Sequence, residues 1–264
     1  MSTSTYAVRD GMTMLRRDLR RMRRYPSLTL SVVALPILML LLFVYVFGEA
    51  LGSGIGLDSG SARGEYTNYV TPGIILMAVT TCAVATAVAV CTDMTEGIIN
   101  RFRTMDIARS AVLTGHVVAG VIQCMITLAL VTGVALLVGF RPDAGVVEWL
   151  AAIGLLMLLA FALTWISAAI GLNSPTVEAA SNTPVPLTFL PFLGSAVVTP
   201  DSMPTGLRWF AEYQPFTPIT ETLRGLLLGS GIGNDGWIAL AWCVGLALLG
   251  YLWARSLYTR EAAR

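Results

Sequence analysis

Long apolar runs alternate with short polar connections along this chain, and the length of each run decides what it can be. A helix rises about 1.5 Å per residue, so about 20 mainly apolar residues cover a hydrocarbon core of about 30 Å. Leu28–Phe47, Val70–Cys91, Ala111–Phe140 and Trp149–Leu172 meet that length directly, and Trp237–Ala254 meets it more tightly. The remaining run, Val185–Val198, has 14 residues and carries Pro186 and Pro191, so a crossing there must borrow from Thr176–Pro184. Proline is tolerated in membrane helices where neighbours satisfy the freed backbone groups, which predicts a broken fifth helix. The pattern predicts an all-α integral membrane protein with six transmembrane helices, at 28–47, 70–91, 111–140, 149–172, 176–198 and 237–254, forming a single domain over residues 1–264.

The polar connections carry their own periodicities. Ahead of the first run, Val8, Met12, Leu15, Leu19 and Met22 recur at helical spacing, with seven arginines on the other faces. Residues 1–26 therefore predict a cytoplasmic elbow helix lying in the headgroup plane against membrane lipid, set off from the first span by Pro26. A basic start followed by an apolar run also resembles an export signal. The run of 20 residues is longer than a typical signal core and no clear A-x-A site follows it, so it is read as a retained span.

Thr92–Ser110 is rich in charge (Asp93, Glu96, Arg101, Arg103, Asp106, Arg109), and its apolar Ile98, Ile99, Phe102 and Met105 recur at helical spacing. A short amphipathic helix of mixed charge suits a protein surface better than lipid, the plainer alternative being a solvated loop. Thr199–Gly236 contains Leu207, Trp209, Phe210, Phe216 and Leu226–Leu228. It is too apolar for a free loop and too short for two more spans, which predicts short re-entrant helices before span six. Glu221 and Arg224, three apart, are placed to pair locally there.

Charge changes the picture in two ways. With the N-terminus inside, the inner segments hold 13 arginines, while the outer ones hold only Arg63, Arg141, Arg208 and Arg224, so both termini are predicted to be cytoplasmic. All 17 basic residues are arginine. Without lysine these residues contain neither a G-x-x-x-x-G-K-[ST] phosphate loop nor a Schiff-base former, so energy must come from a partner or a gradient. No charge run points to nucleic acid. Cys82, Cys91, Cys124 and Cys243 all fall in apolar runs without metal-ligand spacing and read as packing residues. No internal repeat is evident. Small-residue spacings such as Ala241/Gly245 and Ala85/Ala89 are common in alanine-rich spans and identify no dimer face.

Three pieces of the chain, in this order, carry a resemblance. The first is Arg24-Tyr25-Pro26 leading into a span that contains Pro36. The second is Asp93-Met94-Thr95-Glu96-Gly97 running into Asn100-Arg101-Phe102-Arg103-Thr104-Met105. The third runs from Pro186-Leu187-Thr188-Phe189-Leu190 through Ser195, Met203-Pro204 and Pro215-Phe216-Thr217-Pro218 to Arg224-Gly225. Together they resemble the ABC-2 family of ATP-binding-cassette exporter permeases, in particular its daunorubicin-resistance branch. Where similar permeases have a proline after the residue aligned with Met105, this chain has Asp106, so the end of the second piece differs.

The resemblance implies an elbow helix, a cytoplasmic coupling helix between spans two and three, and re-entrant helices before span six. It implies a non-catalytic transport subunit of the plasma membrane with no cofactor of its own, ATP and magnesium being held by a separate ATP-binding-cassette ATPase present in two copies. A second permease, either another copy of this chain in a homodimer or a sibling permease, completes the pathway. Coupling to the ATPase falls to Asp93, Glu96, Gly97, Arg101, Phe102, Arg103 and Met105. A lipophilic or amphipathic cargo, a drug, antibiotic or lipid-like compound, would be exported through a cavity between spans two and five, where Met77, Thr81, Phe189 and Phe192 stand.

Two other classes compete. An ion-coupled secondary transporter needs ionisable groups at membrane depth. The spans are nearly free of them: Glu178 and His116 sit at edges, His116 reading as a satisfied edge residue, and Glu221 lies in the outer connection. An integral membrane enzyme could use Asp93 and Glu96, three apart on one face, but no His-rich motif, paired Asp cluster or reactive serine context accompanies them.

Overall fold

A helix that is apolar on every face has to be surrounded, and helix α2, Ala62–Thr95, is the one this chain surrounds. In the computed structural model, which describes Arg16, Arg20, Arg24 and residues 26–48, 62–95, 109–198 and 203–261, every residue from Val70 to Thr80 is buried. Helix α1 (Pro26–Leu41, prolonged by a π-helical turn Leu42–Val46), α3 (Arg109–Val138) and α4 (Val146–Asn173) all pack on it. Of the most apolar stretch of α2, 72% is buried, against 28–39% for the other long helices, so α2 is the axis of the fold. Among the described residues, four helices are long and apolar enough to cross a membrane: α2, α3, α4 and the last, α9 (Asp235–Glu261). Leu30–Val46 is a shorter apolar helix.

The threonines of α2 are compatible with its burial because each satisfies its hydroxyl within the helix. Thr67, Thr71, Thr80, Thr81, Thr86 and Thr92 donate to carbonyls three or four residues earlier, at 2.6–3.2 Å. Glycines then let the backbones close. A Cβ on Gly73 would stand 2.4 Å from the Cβ of Ala196, one on Gly171 (α4) 2.5 Å from the carbonyl oxygen of Ala87, and one on Gly250 (α9) 2.8 Å from the backbone nitrogen of Ile166. Small residues thus fix the α2–α4 and α4–α9 approaches, as they do in membrane bundles generally. Gly245, by contrast, faces open space.

The fifth apolar run breaks as its prolines require. It forms α5 (Val177–Asn182), α6 (Val185–Phe189) and a 3-10 turn, Leu190–Leu193. Pro186 and Pro191 each stand in a first turn, where a missing N–H costs nothing. Thr176 caps α5 by accepting the Ala179 N–H at 3.2 Å. Two short helices follow, α7 (Thr205–Tyr213) and α8 (Phe216–Leu228). Helix α8 ends at Gly229, whose φ of +72° is the left-handed stop that glycine adopts freely. Helix α7 leaves Trp209 and Tyr213 each 66% exposed, while α8 buries most of its length.

Of the predicted elbow, Arg16, Arg20 and Arg24 are helical and exposed, and their spacing of four puts them on one face. The rest of that segment lies outside the described residues. So do Glu96, Gly97, Arg101, Phe102, Arg103 and Met105. The described residues contain no strand.

Candidate functional site

A cavity of about 490 Å³ opens beside α2, a volume in the range that small-molecule sites occupy. Four elements wall it. Helix α2 contributes a stripe through Thr81, Ala85 and Val88, and α3 contributes His116, Gly120 and Gln123 at the same helical spacing. Helix α1 adds Ser31, Val32 and Leu35, and α6 adds Val185, Thr188 and Phe189. The walls are mainly aliphatic, with Phe189 as the large aromatic face. Polar groups enter from all four walls: His116 and Gln123 of α3, Thr81 and Thr86 of α2, Ser31 of α1 and Thr188 of α6.

Thr81 and Phe189 of the predicted cavity set meet here. Met77 and Phe192 are not among its lining residues. Met77 is 3% exposed, inside the core, and its carbonyl takes the Thr80 and Thr81 hydroxyls. Phe192 stacks on Phe43, ring centroids 5.9 Å apart and planes 26° apart. Sequence reading did not single out Gln123, Gly120 or Thr86. The available signal was a glutamine inside an apolar run, seven residues after a histidine and therefore on the same helical face.

Asp93, the first charge of its segment, is buried at the end of α2. Its carboxylate is buried against α3, with Oδ2 3.1 Å from Nε2 of His116, and the two side chains are 3% and 5% exposed. Burying either group alone would be costly, and this contact offsets part of that cost.

At the opposite end, Arg224 of α8 ties three elements together. Its Nη2 donates to the Ser195 carbonyl at 2.9 Å and to the Tyr69 carbonyl at 3.2 Å, and Nη1 donates to Glu221. The guanidinium lies 3.9 Å over the Tyr69 ring, whose hydroxyl also donates to the Ser195 carbonyl. The local Glu221–Arg224 pair expected from sequence is therefore present, as one corner of a larger network.

The family model of the ABC-2 type transporters matches residues 10–228. The chain belongs to that family. This ABC-2 chain is 29% identical over 244 residues to a daunorubicin resistance ABC transporter permease of Streptomyces coeruleorubidus, covering 92% of this chain and 83% of the relative. It is 22% identical over 242 residues to a probable doxorubicin resistance ABC transporter permease of Mycobacterium tuberculosis, covering 92% and 85%. As an ABC-2 permease it is a multi-pass membrane protein that works with an ATP-binding-cassette ATPase.

Proposed function

We propose that this chain is the membrane pathway of an exporter for lipophilic or amphipathic compounds, with the cavity beside α2 as the place where cargo is held. The observation that carries the reading is that cavity's composition: aliphatic walls and one aromatic face, with a few hydrogen-bonding groups spread among them. Such a surface retains a hydrophobic body in several poses and does not demand one exact partner. The names of the two relatives, each a drug-resistance permease, point to cargo of the same kind.

The full architecture follows as part of this reading. Six spans cross the membrane, the fifth through the broken stretch Val177–Leu193, with both termini cytoplasmic and α7 and α8 re-entering from outside. Two copies of the chain face each other, and each rests on one ATPase subunit that binds ATP and magnesium. The chain itself performs no hydrolysis and holds no cofactor. Residues 96–105 dock into that subunit, with Phe102 as apolar anchor and Glu96, Arg101 and Arg103 as polar rim, because interface hot spots are concentrated in aromatic and arginine side chains. A ligand is driven only by different affinities in two states, so ATP-dependent movement of this segment must change the cavity's exposure.

The test is a Phe102→Ala, Arg103→Ala double variant. The reading expects normal insertion and orientation, with a loss of ATPase co-purification worth roughly 2 kcal/mol or more and no export. Full transport with the partner still bound would remove the docking role from this segment.

A further inference from the structure

The polar side chains that line the cavity beside α2 differ in what their hydrogen bonds leave free. The Thr81 hydroxyl donates to the Met77 carbonyl at 2.9 Å and the Thr86 hydroxyl to the Cys82 carbonyl at 3.2 Å, so both are committed within their own helix. His116 stands against Asp93 at 3.1 Å, and Ser31 is likewise engaged. Gln123 and Thr188 are different: neither makes a hydrogen bond among the described residues. Gln123 stands at the middle of α3, about 20 Å of rise from either end of a helix long and apolar enough to cross a membrane. Thr188 belongs to α6, is only 8% exposed, and directly precedes Phe189, the aromatic face of the same cavity.

A primary amide offers two N–H donors and a carbonyl acceptor, and a hydroxyl both donates and accepts. Leaving such groups unfilled at membrane depth is expensive, because the hydrocarbon core supplies no water to take them. Packing alone calls for no amide here, since leucine fills a similar volume without that cost. Among the described residues neither a carboxylate nor an arginine lines the cavity, so the part of the cargo held there carries no charge. We propose that Gln123 and Thr188 are the cargo-selecting residues of this cavity, hydrogen-bonding the oxygen-bearing edge of an aromatic ring system whose face lies on Phe189. The proposal rests on the cavity reading above and narrows it, from any lipophilic body to aromatic cargo with carbonyl or hydroxyl oxygens. At about 490 Å³ the cavity is of the size at which one drug-sized body touches several walls, and a few placed polar groups then set orientation and choice.

The test uses two probes of similar ring size, 1,4-dihydroxyanthraquinone and anthracene. Their binding to the purified permease–ATPase complex in lipid nanodiscs is measured by fluorescence, with partition into empty nanodiscs subtracted. Gln123→Leu and Thr188→Val are each expected to weaken the dihydroxyanthraquinone by about two- to ten-fold, the worth of one neutral hydrogen bond, and to leave anthracene within two-fold. Phe189→Ala should weaken both probes. Without any probe, Gln123→Leu should unfold at the same temperature as the parent or higher, because it removes an amide that bonds nothing. Equal weakening of both probes in Gln123→Leu and Thr188→Val would overturn the proposal, as would unchanged binding of the dihydroxyanthraquinone. It is also overturned if Gln123→Leu lowers the unfolding temperature or separates two differently tagged copies, since the amide would then serve structure. If the parent binds neither probe, or if Phe189→Ala alters neither, the cavity reading itself falls and the proposal with it.

Discussion

Arg224→Ala is the substitution whose cost the structure defines best. The side chain is 11% exposed and donates to two backbone carbonyls on different elements, Ser195 and Tyr69, while lying over the Tyr69 ring. A hydrogen bond from a charged donor contributes about 1.5–3 kcal/mol, and a partly desolvated cation–π contact adds about 0.5–2 kcal/mol. Glu221 is 34% exposed and can return to water, so its orphaning adds little. The terms overlap, and a net loss of about 3–4 kcal/mol is expected. At about 2–4 °C per kcal/mol for a chain of this size, the apparent unfolding temperature in detergent falls by roughly 6–16 °C. Arg224→Lys should recover only part of this, because one ammonium cannot reproduce the planar fork that reaches both carbonyls. Glu221→Gln should cost less than about 1 kcal/mol. The reasoning fails if Arg224→Ala unfolds within about 2 °C of the parent, or if Glu221→Gln is the more damaging change.

Gly73→Ala should destabilise by about 1–3 kcal/mol, read in the same thermal assay, because its Cβ would fall 2.4 Å from the Cβ of Ala196. Adding Ala196→Gly should rescue only part of that, since the Ala196 Cα would still lie 2.8 Å away. Phe189→Ala should change which lipophilic compounds cells resist, measured across several chemically different drugs, with assembly intact. Phe192→Ala should instead lower stability, because its ring packs on Phe43 and does not line the cavity. For orientation, an impermeant thiol reagent applied to intact cells in a cysteine-free background should label Asp58→Cys and leave Arg103→Cys untouched; the reverse pattern inverts the proposed topology.

Hydrophobic run length found the long helices because it measures what a bilayer demands. The windows predicted at 70–91, 149–172 and 237–254 all lie inside observed helices. It missed their extents where packing and not hydropathy extends a helix. Helix α2 begins at Ala62, and its first turns carry Arg63, Glu65 and Asn68, yet Tyr66 there is fully buried. The broken fifth element was legible from Pro186 and Pro191, whose backbone constraints are local. Contacts between distant residues were not. Asp93 and His116 each stood out in sequence, one as a charge and one as the single histidine, but 23 positions separate them and only the packing of α2 on α3 makes them a pair. Arg224 was readable as a neighbour of Glu221, whereas the carbonyls of Tyr69 and Ser195 bear no sequence mark. Likewise Gly73, Gly171 and Gly250 make the close approaches, and the more conspicuous Ala241/Gly245 spacing makes none at Gly245.

The central claim is that this chain moves a lipophilic compound with energy from a separate ATPase, and transport in inverted membrane vesicles tests it most directly. Vesicles holding the permease and its ATP-binding-cassette partner would be given daunorubicin, whose own fluorescence follows its uptake. The account predicts uptake that requires ATP and both proteins, persists when an ionophore collapses the ion gradients, and stops when the partner's phosphate-loop lysine is replaced. Uptake that continues without the ATPase subunit, or that ends with the ion gradient while ATP is still present, would contradict it.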